Sequence, residues 1–508
     1  MDLCRDGIGS VRLAQCGVHV NDNQVNRVVD ASTLDDNSSF DTDLCIIGAG
    51  AAGITVAMEL CDSKIKVLLL ESGGLESESE TQSLYQGEST GRPYYPLEAA
   101  RLRYFGGTTN HWSGWCAPLD PLDFVQRDWI PHSGWPIDYQ DLEPWYWRAH
   151  QICQLGPFQF EAEYWEEQTG LRRLPLSRET VATKILQFSP PTRFGTVYRD
   201  KIIGASNITL WTHANVTNIQ SNPAASRATG VEVTTLNKKK LLVRAKAFVL
   251  ACGGMENPRI LLLSNHVNEQ GLGNHYGVVG RYFMEHPHLF TSTVLLPKGF
   301  NVDFYELEWP NEPSIRKPFV PLFGITPAVQ RAQKIANYSS ILWPSESPQG
   351  DQPTQSRQLH TRIEQVPNPE SRITLAHDDR DLLGQPKIRF HWQLTQLDKK
   401  TIRIAEQLLA NQLGRTQVGR LQMPDWLVSH NDEWSDTMSG GPHHMGTTRM
   451  SDDPRTGVVD ANCKIHGIDN LYVAGSSVFS TAGTANPTMT IVALAARLAS
   501  HIRENALS

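Results

Sequence analysis

A short apolar run, a glycine turn and a helical stretch form the clearest pattern of hydrophobic and polar positions in the chain. Residues 43–47 become apolar after the first position, which is typical of a buried strand. Residues 52–61 carry apolar side chains at helical spacing, and residues 67–70 form a second apolar run. This order predicts that regular structure begins near residue 43 with a strand, a helix and a second strand of an α/β fold.

The pattern changes further along the chain. Residues 1 to about 40 are polar without a sustained period, which predicts an extended or loosely held lead-in. Between about residues 289 and 420, Pro and aromatic residues become frequent, and an alternating stretch at 388–392 precedes a helical one at 399–413. The last pattern, over 487–503, is helical, as is the pattern that follows the first predicted strand. A single core rarely serves more than ~250–300 residues, so this chain of 508 residues is expected to form two domains.

Composition and charge narrow the class of protein. The formal net charge of -8 offers no attraction to nucleic acid or to an anionic membrane surface, so no nucleic-acid partner is expected. The eight cysteines contain no C-x-x-C pair, which argues against structural zinc, an iron–sulfur cluster or attached c-type haem. There is neither a secretory signal nor an apolar run of ~18–20 residues. The sequence therefore predicts a cytoplasmic protein without a membrane span.

A glycine-rich motif lies between the first strand and the first helix. Gly48, Gly50 and Gly53 form a G-x-G-x-x-G, and Glu71 ends the second strand about 20 residues later. Gly48 permits a tight turn, Gly50 lets a pyrophosphate approach the backbone, and Gly53 lets the helix lie close to the strand. Glu71 can accept hydrogen bonds from a ribose. A plain glycine-rich turn is the alternative, and the motif alone does not distinguish NAD from FAD.

Four further segments make the sequence resemble the glucose–methanol–choline (GMC) family of flavin oxidoreductases. They are Glu71-Ser72-Gly73-Gly74; residues 106–112, Gly-Gly-Thr-Thr-Asn-His-Trp; residues 216–219 with 251–259; and a C-terminal group of residues 443–450, 471–476 and 484–490. The sequence departs from the family pattern at Asn257, where serine or threonine is usual. Within the family it is most similar to the sugar-oxidising branch that includes pyranose oxidase and the large subunit of fructose dehydrogenase. The resemblance is strong at both ends of the chain and thin in the middle.

The resemblance implies a fold of two parts. A Rossmann-like FAD-binding domain of the GMC type would comprise residues 41–150, 195–288 and 420–508. A substrate domain, built on a mainly antiparallel sheet, would comprise residues 151–194 and 289–419. The fold class is therefore α/β, or α+β when the second domain is included.

The resemblance also implies which residues hold FAD. They are Gly48, Gly50, Gly53, Glu71, Gly107, Asn110, His111, Val216, Ala251, Gly475, Ser476, Asn486, Pro487 and Thr488. In relatives with a histidine matching His111, that side chain can be bonded covalently to the flavin methyl group, and an imidazole is a competent nucleophile for this bond. The alternative is a histidine that only packs near Trp112.

A histidine and an asparagine are the candidate catalytic pair. The family's active-site base lies three positions before a Gly-Thr pair, which selects His443, with His444 as the alternative. Histidine suits the removal of a hydroxyl proton because its ordinary pKa is ~6.5. Asn486 would orient the same oxygen and stabilise alkoxide charge. Zinc binding or burial in a core would explain these histidines otherwise, but no third metal ligand lies at typical spacing. His286 and His288 are assigned no catalytic part.

These inferences predict an FAD-dependent oxidoreductase that oxidises an alcohol, specifically a ring hydroxyl of a sugar or glycoside, to a carbonyl. A non-sugar alcohol is the first alternative, and a catalytically silent flavin-binding subunit is the second. Oxygen, a quinone or a separate cytochrome subunit could accept the electrons. No metal is expected, and an oligomer is compatible with the sequence.

Overall fold

The computed structural model describes residues 27–307, 317–344, 354–429, 431 and 433–507. Its strands are, in chain order, Val28–Asp30 (β1), Ser39–Ile47 (β2), Val67–Leu70 (β3), Gly87–Gly91 (β4), Trp115–Cys116 (β5), Val181–Phe188 (β6), Ile208–Thr212 (β7), Asn215–Ser221 (β8), Ala228–Thr234 (β9), Lys240–Leu250 (β10), His288–Pro297 (β11), Phe319–Ile325 (β12), Tyr338–Pro344 (β13), Thr354–Ile363 (β14), Arg372–Arg380 (β15), Pro386–Trp392 (β16), Arg420–Gln422 (β17) and Leu471–Val473 (β18). Its α-helices are Ala51–Glu59 (α1), Ser79–Ser83 (α2), Pro121–Phe124 (α3), Tyr139–Ile152 (α4), Ala162–Thr169 (α5), Phe194–Val197 (α6), Arg199–Gly204 (α7), Gly253–Leu263 (α8), Pro327–Gln333 (α9), Gln396–Arg415 (α10), Asp425–Val428 (α11) and Thr488–His501 (α12).

A mostly parallel sheet carries the nucleotide motif. Its strands lie in the order β1-β7-β3-β2-β10-β9-β8, and β18 pairs in parallel with β10. Strands β8 and β9 instead form an antiparallel meander with β10. Residues 44–47 of β2 are buried, and β3 and β10 pair with them on either side. The predicted strand, helix and strand at the start of the sequence are therefore confirmed as β2, α1 and β3.

The start of regular structure is earlier than the sequence pattern predicts. Strand β1 lies within the stretch expected to be a lead-in, where it pairs in parallel with β7. Strand β2 begins at Ser39 rather than near residue 43, and its polar first half pairs with β10. Strand pairing depends on backbone hydrogen bonds, which form beside polar side chains as well, so the apolar pattern missed the polar first half of β2. Strand β1 has only three residues, too few to show a period. Residues 1–26 of the lead-in lie outside the described part of the chain.

The helices that border the nucleotide motif are packed against each other. Helix α12 lies on α1 and α4, and most of α1 is buried. The helical pattern predicted over 487–503 is confirmed as α12, and the pattern over 399–413 as α10. Helix α10 begins earlier than predicted because Thr395 and Asp398 form a capping box at its N-terminus.

A second sheet of seven strands stands apart from the first. Its order is β17-β11-β14-β13-β12-β6-β5, and every pairing in it is antiparallel. Three further strands, in the order β15-β16-β4, form a small mixed sheet. The α/β fold with a second, mainly antiparallel sheet is thus confirmed. None of the helices described is long and apolar enough to cross a membrane.

Candidate active site

Two glycines of the motif bring helix α1 close to the sheet. Gly48 has a φ of +102°, which disfavours side chains, and a Cβ there would lie 2.7 Å from the carbonyl oxygen of Ala251. A Cβ on Gly53 would lie 1.9 Å from the carbonyl oxygen of Gly48. Neither position has room for a methyl group, so both glycines serve the turn and the close approach of helix and strand.

Gly50 has a different environment from the other two glycines. It is the N-cap of α1, and an added Cβ would meet nothing within 4 Å. The backbone here faces open space at the positive end of a helix, which suits a pyrophosphate. Glu71 lies beside it and accepts the N–H groups of Ala49 and Gly73, at 3.0 and 2.9 Å. Burial raises the pKa of Glu71.

One cavity joins the beginning and the end of the sequence. Its volume is about 510 Å³, within the range of small-molecule sites. Most of the predicted cofactor residues line it, namely Gly48, Gly50, Glu71, Gly107, His111, Val216, Ala251, Gly475, Ser476, Asn486, Pro487 and Thr488. The predicted residues Gly53 and Asn110 are not part of this lining.

The loop of residues 106–112 lies against the glycine motif. A Cβ on Gly107 would lie 3.1 Å from the Cα of Gly50. The Asn110 amide donates to the carbonyl oxygen of Phe105 at 2.9 Å, so its side chain holds the loop. His111 faces the cavity, and burial, assisted by the charge of Arg193, lowers its pKa. A neutral imidazole is thereby presented to the cavity.

The C-terminal segments are joined to the rest of the site by side-chain hydrogen bonds. Asn257 donates to Ser477 Oγ at 2.9 Å and accepts the Cys252 N–H at 2.7 Å. Ser476 Oγ donates to the carbonyl oxygen of His444 at 2.6 Å. Asn257, which departs from the family pattern, thus ties the turn before α8 to the segment after β18.

The candidate base is held in one tautomer by a chain of hydrogen bonds. His286 Nε2 lies 3.2 Å from the carbonyl oxygen of Ala482, which can only accept, so Nε2 carries the proton. Burial lowers the pKa of His286 to about 4, so the ring is neutral and its Nδ1 is an acceptor. His443 Nδ1 lies 2.9 Å from that atom and must donate to it. His443 Nε2 is then unprotonated, 3.3 Å from the Asn486 amide.

The electrostatics of His443 keep it neutral. Burial lowers its pKa well below the usual value, and its proximity to His286 and to the charge of Arg362 lowers it further. Asn486 lines the cavity beside it at the start of α12. This geometry can hold a hydroxyl between an acceptor, Nε2, and a donor, the amide, and can remove its proton.

A buried carboxylate positions the backbone of the base. Glu285 accepts the N–H groups of Gly441 and His443 at 3.1 and 3.0 Å, and the hydroxyl of Tyr94 at 2.5 Å. Burial raises its pKa to about 7. His444 points elsewhere, with its Nε2 3.0 Å from the Tyr94 hydroxyl, and burial lowers its pKa to about 3. The contacts thus distinguish His443, which meets Asn486, from His444.

Several residues of the site were not found by sequence reasoning. The sequence assigns no catalytic part to His286 and His288, nor to Glu285 beside them, because the spacing of His286 from His443 in sequence gives no sign of their contact. Arg362 had no signal at all, because it is one arginine in a thinly matched region. In the described part of the chain, no three histidines, cysteines or carboxylates are grouped so that they could hold a metal ion.

The residues present fit FAD. The open space at Gly50, the helix end behind it and the acid of Glu71 suit the phosphates and ribose of a dinucleotide. At the other end of the same cavity, the start of α12 and the loop around His111 form a surface that can hold a planar ring system.

Comparison with known proteins identifies the family. Residues 43–288 match the family described as FAD dependent oxidoreductase, and residues 367–495 match the family described as GMC oxidoreductase. The chain is a GMC-type FAD-dependent oxidoreductase. Like its relatives, this GMC-type enzyme acts on alcohol groups, of sugars or of other alcohols, and its cofactor is FAD.

Relatives resemble this GMC-type enzyme over nearly its whole length. The fructose dehydrogenase large subunit of Gluconobacter japonicus is 23% identical, over 92% of this chain and 98% of its own. The 2-methyl-1,2-propanediol dehydrogenase of Mycolicibacterium austroafricanum is 26% identical, over 92% and 96%. A crystal structure of formate oxidase superposes with a TM-score of 0.61 at 18% identity, covering 94% of this chain and all of that one, which supports the fold.

Proposed function

We propose that this enzyme oxidises a ring hydroxyl of a sugar or glycoside to a carbonyl, with hydride transfer to flavin N5 and His443 as the general base. The observation that carries the proposal is the unprotonated Nε2 of His443, 3.3 Å from the Asn486 amide in the cavity wall. The similarity to a protein named fructose dehydrogenase supports a sugar substrate. The relative named for a propanediol keeps a non-sugar alcohol as the alternative.

The two side chains divide the work on the hydroxyl. His443 Nε2 accepts the hydroxyl proton, and its Nδ1–H continues to donate to His286, so the imidazolium that forms keeps a partner. Asn486 donates to the oxygen and stabilises the charge that grows there. The N-terminus of α12 adds positive potential at the same point. FAD held between Gly50 and the start of α12 would supply the acceptor for the hydride of the carbinol carbon.

An anaerobic stopped-flow screen of sugars and alcohols tests the proposal through bleaching of the flavin. Sugars should bleach it, and His443→Ala should slow bleaching at least ~100-fold. His150→Ala removes another buried histidine, which lies in α4 outside the cavity lining, and serves as the control. An unchanged rate in His443→Ala would move the base elsewhere. A holoenzyme that no alcohol bleaches would favour a silent flavin-binding subunit.

The electron acceptor is tested in the same experiment. Rapid return of the flavin colour when air is admitted would make the enzyme an oxidase. Slow return, with rapid return on adding a quinone, would make it a dehydrogenase. The name of the fructose dehydrogenase relative, a large subunit, supports a separate subunit as acceptor, and co-purification from the native source tests that.

We further propose that His111 is bonded to the flavin methyl group. A methyl C–H and the imidazole N–H each lose a proton as the C–N bond forms, and the released electron pair reduces the flavin, which the enzyme's electron acceptor then reoxidises. The support is a neutral imidazole that lines the cavity next to the loop of Gly107. Acid precipitation should leave the flavin with the wild-type protein, and His111→Asn should release it. Free flavin in the wild-type supernatant would refute the bond.

A further inference from the structure

One arginine in the cavity wall carries a charge that no carboxylate of the described residues balances. Arg362 lies on β14 and is 8% exposed. Within those residues its guanidinium forms no ion pair, its Nε is buried without a hydrogen-bond partner, and its carbon CZ lies 4.3 Å from the Trp115 ring centroid. A buried cation without a counter-charge is costly, so this arrangement points to an anion that enters the cavity.

The neighbours of Arg362 place its charge beside the reacting atoms. It pairs in strand register with His288 of β11, and the rings of His288 and His443 lie 5.8 Å apart. All three residues line the cavity. The charge of Arg362 is also among the causes that lower the pKa of His443 and of His288, after burial. A group bound by Arg362 would therefore lie next to an alcohol held by His443.

The other buried arginines have partners that Arg362 lacks. Arg101 and Arg259 line the cavity and form ion pairs with Glu256, at 2.9 and 3.2 Å. Arg449 is also buried, but it donates to a backbone carbonyl at 2.6 Å and lies outside the cavity lining. Arg362 alone among these combines a cavity-facing position with an unbalanced charge. Burial lowers its pKa to about 9, which leaves it charged at neutral pH.

We propose that the alcohol oxidised in this site carries a carboxylate, which Arg362 binds while His443 and Asn486 hold the hydroxyl. The inference rests on the proposed function and deepens it. A guanidinium presents paired N–H donors that match the two oxygens of a carboxylate. One arginine balances one charge, which favours a carboxylate over a doubly charged phosphate ester. His288, whose Nε2 is buried without a hydrogen-bond partner in the described chain, offers a further polar contact. The substrate class is hydroxy acids, including sugar acids.

Matched substrates test the charge directly. One series is methyl glucopyranosiduronic acid, its neutral amide and methyl glucopyranoside, which share their ring hydroxyls; a second pair is lactate and 1,2-propanediol. With the wild-type holoenzyme, the second-order rate constant of flavin bleaching should be at least about 30-fold higher for an acid than for its neutral partner. Arg362→Met should reduce this ratio to within about threefold. Arg449→Met, the matched control, should keep the wild-type ratio.

Two results would overturn the inference. Equal second-order rate constants of bleaching for the acid and neutral substrates in the wild type would show that the site does not select a carboxylate. An equal loss for both members in Arg362→Met would mean that the arginine serves a group common to both reactions, such as the flavin. In either case bleaching by neutral alcohols would leave the proposed function standing.

Binding without turnover separates the two proposals further. Acetate titrated into the oxidised wild-type holoenzyme should perturb the flavin spectrum saturably, acetamide should not, and Arg362→Met should weaken acetate binding at least about 30-fold. Absence of saturable acetate binding in the wild type would refute Arg362 as an anion site. If no alcohol bleaches the flavin, the proposed alcohol oxidation fails, and the acetate titration still decides whether Arg362 binds a carboxylate.

Discussion

Replacing His286 tests whether the tautomer of the base matters. In His286→Leu, the Nδ1–H of His443 loses the acceptor that lies 2.9 Å away. A buried donor without a partner costs about 1–3 kcal/mol, and His443 can escape that cost by moving its proton to Nε2, where it can no longer accept one. The productive tautomer thus becomes less favourable by that amount, which corresponds to roughly 5- to 150-fold slower proton removal.

The conservative variant separates this effect from simple packing. Asparagine in place of His286 can accept with its oxygen and donate with its nitrogen, so His286→Asn should recover most of the rate. Single-turnover flavin bleaching at saturating substrate measures the step directly. His150→Leu, which also removes a buried histidine, controls for a general loss of stability. Equal slowing by His286→Leu and His286→Asn, or no slowing by either, would refute the tautomer argument.

Three further predictions follow from contacts in the fold. His443 acts as a base only when deprotonated, and its pKa is lowered well below 6.5. In stopped-flow measurements at different pH, the rate of bleaching should therefore stay constant as the pH falls to 6.5 and be lost only at clearly lower pH. Gly50→Ala should fold normally but bind FAD more weakly in equilibrium titrations, since its methyl group would occupy the open space left for the phosphates, whereas Gly414→Ala, also without neighbours within 4 Å, should retain FAD. Arg127 donates to both carboxylate oxygens of the buried Glu364, at 2.6 and 2.8 Å. Arg127→Met leaves that carboxylate without this partner and should lower the free energy of unfolding by about 3–5 kcal/mol in urea titrations; a loss below about 1 kcal/mol would contradict this.

The nucleotide half of the site could be predicted from sequence because its chemistry is local. Gly48, Gly50 and Gly53 lie within one turn, and the structure gives each the environment its position in the motif requires. The same holds for the helix that begins beside Asn486, since Pro487 marks its start in the sequence. In these segments the residues that act together are also close along the chain.

The substrate half could not be predicted in this way because its contacts join distant strands. His286 meets His443 across 157 positions, and Arg362 meets Trp115 and His288 only through the antiparallel sheet. Alternation within one strand reveals which side chains share a face, but it does not reveal which strand lies next to it. Strand β1 was missed for the related reason that its three residues show no period, and its place is set by its pairing with β7.

The pairing of β10 with both β2 and β18 has a consequence for synthesis of the protein. Strand β2 and the glycine motif leave the ribosome before the base, β18 and α12. The mostly parallel sheet, and the helix that lies against α1, are therefore incomplete until α12 has been synthesised. Because segments from β2 through α12 line one cavity, we expect flavin to be captured only after α12 has been made. Nascent chains stopped before β18 should remain colourless.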